Sequence, residues 1–312
     1  MVLLAGALVV GLVVLFDRGV GPLPDPEGCR ADVGGHVVDL TTEQAQNATT
    51  ISAVAVRRGL PARATSIALA TAYQESKLRN LDHGDRDSVG LFQQRPSQGW
   101  GTAAQIQRPA YAANRFFDAL EKVDGYQTMR ITEAAQEVQR SGYPEAYEAH
   151  AEDARALASA LTGYSPARFS CVVDDESDLA AQREGAQGLT PRADAVRRDL
   201  VAAFGPLSLG GFAAGGVSTG HQEGSAHYDG RALDVFVRPV SEENRRLGWA
   251  MASYAVAQAK RLHLDHVIFD GRIWSRSRSS SGWRDYDPGD GPGDRAVLEH
   301  RDHVHLDVLA GS

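Results

Sequence analysis

Two short segments hold residues that could share one metal ion. Residues 225–234 contain His227 and Asp234 with six residues between them, and residues 300–305 read His-Arg-Asp-His-Val-His. Imidazole and carboxylate together suit a borderline cation such as Zn2+. Three protein ligands, His227, Asp234 and His305, would leave a fourth position for water, the pattern of a catalytic site. His303 would stand beside the ion and orient the water or a substrate oxygen. A second candidate lies earlier in the chain. Glu75 falls near the end of an apolar stretch, followed by Ser88, Gly90 and Gln93. Apolar surroundings disfavour an ionised carboxylate, so such a glutamate stays protonated and can donate to a glycosidic oxygen. Gln93 could hydrogen-bond a sugar amide.

The elements that must present these groups can be read from the pattern. Ala232 to Val237 is rich in strand formers, and His303 to Val308 alternates with period two. Residues two apart on a strand share a face, so His303 and His305 can enter the same pocket. Gly230 allows a sharp turn or a close backbone approach. Thr190-Pro191 starts a helix that Gly205 ends, Ser241 starts a long one, and residues 266–274 form a strand with a turn. Before residue 165 the periodicity is mostly helical. Thr41 or Thr42 caps a first helix, Pro61 opens a second that carries Glu75, and others cover about 109–121 and 144–161. Residues 275–297 form a loop beside the metal, with Trp274 or Trp283 as a pocket wall. Its aspartates, Asp285, Asp287 and Asp290, lack EF-hand spacing.

The first constellation resembles the LAS zinc metallopeptidases. It carries Ser225-x-His227-x-x-Gly230-x-Ala232-x-Asp234, then His300-x-x-His303-x-His305. The resemblance implies Zn2+ on His227, Asp234 and His305, substrate contacts from Ser225 and Arg231, and cleavage of peptide bonds in peptidoglycan stems. Other members place a glutamate three residues before the last histidine, as general base. Asp302 stands there in this chain, so His300, Glu299, Asp302 and the neighbouring His303 are all candidates for proton transfer. The second constellation, Glu75-Ser76 and Ser88-x-Gly90-Leu91-x-Gln93, resembles the lysozyme-like soluble lytic transglycosylases. That resemblance implies that Glu75 is the single catalytic acid and base, that Ser88 and Gln93 contact the glycan, and that the sugar's own hydroxyl attacks. After Gln93 the sequence departs from that family.

Composition agrees with a globular chain of two domains. It has 312 residues, 43% of them hydrophobic, and a net charge of −8, which argues against nucleic-acid binding. Residues 1–16 carry no charge and read as a membrane anchor or export signal followed by a linker. The expected division is 1–28 for that segment, 29–171 for a mainly α lysozyme-like domain, 172–189 for a linker, and 190–312 for the peptidase-like domain. The last is expected to be α+β, with a small antiparallel sheet carrying the zinc site. Cys29 and Cys171 bracket the first domain and would pair outside the cytoplasm. The partners expected are glycan strands and stem peptides, with the N-terminal segment in the membrane. The alternative is that the lysozyme-like domain only binds glycan, or that the whole chain is a non-catalytic wall-binding protein.

Overall fold

The computed structural model describes residues 26–174, 178–289 and 293–312. A mainly helical N-terminal region precedes an α+β region built on a small antiparallel sheet. The expected anchor falls on residues 1–25, outside the described residues, as do Asp290 and part of the expected linker. Among the described residues, no helix is long and apolar enough to cross a membrane.

Helix α1 (Thr42–Arg57) begins where the sequence marks it. Thr41 accepts from the Gln44 amide, and the Gln44 side chain returns the bond to the Thr41 backbone. This closes two of the amides that a helix start leaves unpaired. Helix α2 (Ala62–Ser76) follows Pro61 and ends when Lys77 and Leu78 turn left-handed. Small residues on α2, Ala64, Ala68 and Ala72 among them, let neighbouring helices approach closely. Those neighbours are α4 (Pro109–Leu120), α5 (Ile131–Gln139) and α6 (Ala151–Leu161), with the single turn α3 (Ala103–Ile106) before them.

Two features of this region differ from the sequence reading. The 144–161 helix is divided: a 3-10 turn, Ala146–His150, precedes α6. A three-stranded sheet, β2–β1–β3, also flanks the helices (β1 Gly28–Val33, β2 His36–Leu40, β3 Phe169–Val172). Its strands are too short and too polar on one face to stand out from the helical background. Cys29 lies opposite Cys171 in the β1–β3 register, and the two form a disulfide.

The second region orders its strands β4–β5–β9–β6–β7–β8, with antiparallel neighbours throughout. These are β4 (Leu209–Gly210), β5 (Ala232–Phe236), β6 (Leu264–Phe269), β7 (Arg272–Ser275), β8 (Arg284–Asp285) and β9 (His303–Val308). Helices α7 (Pro191–Phe204) and α8 (Glu242–Leu262) pack on the sheet, and the short α9 (Arg295–Leu298) leads into β9. The two faces of β9 divide the labour. Val304, Leu306 and Val308 alternate with His303, His305 and Asp307, and all six are buried. The apolar set joins the core under the helices; the polar set has to be satisfied on the opposite face.

The two regions share one continuous apolar core, in which α1 packs on α8. Trp274 was expected to wall a pocket, but it is fully buried, and its indole N–H donates to the Cys171 carbonyl. Trp283 likewise donates to the Phe169 carbonyl. Both indoles therefore seat the disulfide-bonded strand on the second region. The start of the expected 275–297 loop is docked: Arg276 is buried and donates to the carbonyls of Leu264, Ala259 and Asp174.

Candidate functional site

Asp234 on β5 lies directly opposite His305 on β9. His227 reaches them from a 3-10 turn, Ala226–Asp229, that Ser225 caps by accepting from the His227 amide. Gly230 ends the turn at φ 62, and a Cβ there would lie 2.7 Å from the Gly188 carbonyl, so only glycine fits. Nε2 of His227, Oδ1 of Asp234 and Nδ1 of His305 then form a triangle with edges of 3.1, 3.2 and 3.3 Å. All three residues are buried.

The hydrogen bonds on the outer side decide what the triangle can hold. Nδ1 of His227 lies 2.7 Å from the Gly211 carbonyl, which can only accept. Nε2 of His305 lies 3.3 Å from Asp307 Oδ2, also an acceptor. In the neutral imidazoles the outer nitrogens therefore carry the protons, and two lone pairs and a carboxylate oxygen face one another inside. Such a cluster calls for a cation. For metal–ligand bonds of about 2.0 Å, tetrahedral ligands lie about 3.3 Å apart, which the triangle matches. The residues present thus fit a divalent ion.

The electrostatics show that the cluster attracts positive charge, taken up by protons until a cation replaces them. Burial raises the Asp234 carboxyl, yet hydrogen bonds from His227 and His305 outweigh it and hold the group well below the usual carboxylate range. Burial opposes protonation of His305, but hydrogen bonds to Asp234 and Asp307 push it up to about 9, so a bound cation has to displace the proton on Nδ1.

His303 stands beside the triangle, its Nε2 3.8 Å from Asp234 Oδ1. Its Nδ1 donates to Asp302 Oδ1 at 2.7 Å, and the other Asp302 oxygen accepts from Arg238 Nε at 2.7 Å. Although burial raises it, Asp302 is held below its ordinary value by these two partners. Both of its oxygens are committed, so it orients His303. The Glu299 carboxylate is engaged with Arg295 and Arg301. His300 packs 4.5 Å from His303, ring to ring. Burial, reinforced by the charges of His303 and His305, lowers its pKa to about 3. Arg231 is bound to Asp229 and to the Val308 carbonyl, an arrangement that ties β5 to the end of β9.

The sequence reading missed several residues here. Gly211 lies against the ligands. Asp307 sits between His305 and His266, whose Nδ1 is 3.0 Å from Asp307 Oδ1. His221 stacks on His227 with centroids 3.8 Å apart. Only Asp307 left a signal, as the third polar residue of the alternating row on β9. Among the described residues two groups could hold a metal, His221–His227–Asp234 and Asp265–His266–Asp307.

Glu75 occupies the last turn of α2, half-buried. Burial raises its carboxyl above the ordinary value, against hydrogen bonds to Tyr147 and Gln139. The Tyr147 hydroxyl donates to Glu75 Oε1 at 2.8 Å. Residues 88–94 fold back on the helix end. Val89 bridges Gln94, Ser76 Oγ donates to the Leu91 carbonyl at 2.7 Å, and Gln139 donates to the Phe92 carbonyl at 2.9 Å. Ser88 donates to Gln93 Oε1 at 3.0 Å, so these two satisfy each other, with Gln93 held at φ 46. Tyr147 left no sequence signal, because it comes from the turn before α6.

Residues 185–296, just over a third of the chain, match the family model described as VldE, C-terminal domain. The match includes His227 and Asp234 and stops short of His303 and His305. No curated protein matches the chain.

Proposed function

We propose that this chain is a bacterial peptidoglycan hydrolase working outside the cytoplasm, held there by its N-terminal segment. It would combine zinc-dependent cleavage of stem peptides with cleavage of glycan strands at Glu75. The observation that carries the reading is the triangle of His227, Asp234 and His305, whose edges and inward lone pairs suit a tetrahedral cation. The motif resemblance supplies the substrate.

In the peptidase centre, bound zinc supplies Lewis acidity for activating water and polarising the amide carbonyl. The chain's own groups do the rest. His303 accepts the water proton at Nε2 and returns it to the leaving amine nitrogen. Asp302 fixes the required tautomer through Nδ1–H, and Arg238 fixes Asp302. His300, neutral at pH 7, can hydrogen-bond without adding charge. In the glycan centre, Glu75 protonates the glycosidic oxygen, and its raised pKa keeps the proton available. The sugar's own hydroxyl then attacks the anomeric carbon and gives its proton to the Glu75 carboxylate, so no second carboxylate is needed.

The test is digestion of purified sacculi with and without a chelator. Peptide cleavage lost on chelation and in His305→Ala, with glycan cleavage lost only in Glu75→Gln, supports two centres. Variants that digest sacculi like the parent protein overturn the assignments.

A further inference from the structure

The Gly-rich stretch before Ser225 carries His221, which the proposed peptidase mechanism does not use. Its ring lies on His227, 21° from parallel. One ligand atom from each of His221, His227 and Asp234 falls within 4.8 Å of the others. The backbone of His221 is gripped on both sides by one hydroxyl. Tyr228 Oη donates to the His221 carbonyl at 2.6 Å and accepts from the His221 amide at 3.0 Å. The next residue, Gln222, donates to the Pro288 carbonyl. The imidazole is thus delivered to the ligand cluster by a latch, on a segment bounded by Gly220 and Gly224. Both glycines have positive φ and open space where a Cβ would stand.

We propose that His221 is a fourth protein ligand of the metal centre, carried by a latch that closes the position a catalytic water needs. The inference rests on the metal-centre reading above. Tetrahedral ligands lie about 3.3 Å apart, and the His221 ligand atom already lies within 4.8 Å of the others, so a shift of at most about 1.5 Å brings it into coordinating range. Stacked, it leaves three ligands and an open position. Coordinated, it completes a four-ligand site of the structural kind, with water excluded. The latch bonds between Tyr228 and the His221 backbone keep the imidazole within that range. Entry of a peptide then requires His221 to stay off the ion. The device therefore holds the site inactive until substrate displaces the latch.

The experiment loads the full chain with one equivalent of Zn2+. Imidazole ligands are counted by X-ray absorption, and affinity is measured by competition with a chromophoric chelator. His221→Ala is expected to lose one of three imidazoles and to weaken zinc binding by at least about tenfold. Cleavage of stem peptide at saturating zinc is expected to rise above that of the parent, because nothing then closes the water position. Tyr228→Phe, which keeps the ring and removes the latch bonds, is expected to weaken binding in the same direction. An unchanged imidazole count with affinity within about twofold in His221→Ala overturns the fourth ligand. Lost cleavage at saturating zinc with unchanged affinity also overturns it, since His221 would then be a catalytic group. A parent protein that binds no zinc overturns the metal centre itself, a distinct result.

Discussion

Gly211→Ala is the sharpest test of the metal centre, because the structure predicts which atoms collide. Gly211 has φ 78, and a Cβ built there would lie 2.3 Å from His227 Cε1, 2.6 Å from its Nδ1 and 2.9 Å from Asp234 Oδ2. Ordinary contact begins near 3.4 Å, so the imidazole must retreat by about 1.1 Å. Metal sites tolerate errors of about 0.2 Å in ligand position. The Gly211 carbonyl that fixes the His227 tautomer also moves. Zinc affinity should fall by about 100-fold or more, since loss of an outer partner alone typically costs 10–100-fold. Backbone strain is a separate cost of about 1–2 kcal/mol in stability. Gly271→Ala isolates that cost: Gly271 has φ 70 with nothing within 4 Å of its Cβ position. The assay is chelator competition at fixed pH, with thermal melting of both variants without metal. Gly271→Ala should melt lower than the parent yet bind zinc within about threefold of it. If Gly211→Ala binds zinc as tightly as Gly271→Ala, the ligand cluster is misassigned.

Other outcomes follow from the same geometry. Asp302→Asn should lower kcat for peptide cleavage by about 100-fold while zinc content stays constant, because it disturbs proton transfer by His303 and leaves the ligands in place. Kinetics paired with metal analysis check this, and lost zinc would refute it. Glu75→Gln should abolish glycan cleavage and raise Tm near neutral pH. The sign follows from linkage. Glu75 has a folded pKa above its ordinary 4.5, so between those values the native state holds more protons and stability falls as pH rises. The Tm gain should vanish below the ordinary value, and a gain that persists there would refute the argument. Replacing Cys29 and Cys171 by serine should cost about 2–5 kcal/mol, measured by denaturant unfolding under oxidising conditions.

Much of the helical framework was legible because each boundary has a local chemical cause. Thr41, Pro61, Thr190 and Ser241 mark helix starts through caps or fixed φ, and these depend on neighbours a few residues away. The row His303, His305, Asp307 could be read as one face of a strand for the same reason. The Cys29–Cys171 pair was legible from the cysteine count, but the three-stranded sheet around it was not, because β1 pairs with β3 across a separation of 142 residues. Trp274 looked like a pocket wall because an aromatic beside a loop gives no sign of which way it faces.

His227, Asp234 and His305 could be picked out from the order of residue types, since alternation and the Gly230 turn carry their direction locally. Their convergence to a triangle of about 3.2 Å edges could not, because it depends on the register of β5 against β9. The tautomers were equally hidden, because each imidazole's outer nitrogen meets an acceptor elsewhere in the chain, the Gly211 carbonyl or Asp307. Which of the four candidates for proton transfer is free to act was hidden for the same kind of reason. Asp302 has its oxygens taken by Arg238, 64 residues away, and by the adjacent histidine, and only folding brings that arginine to it.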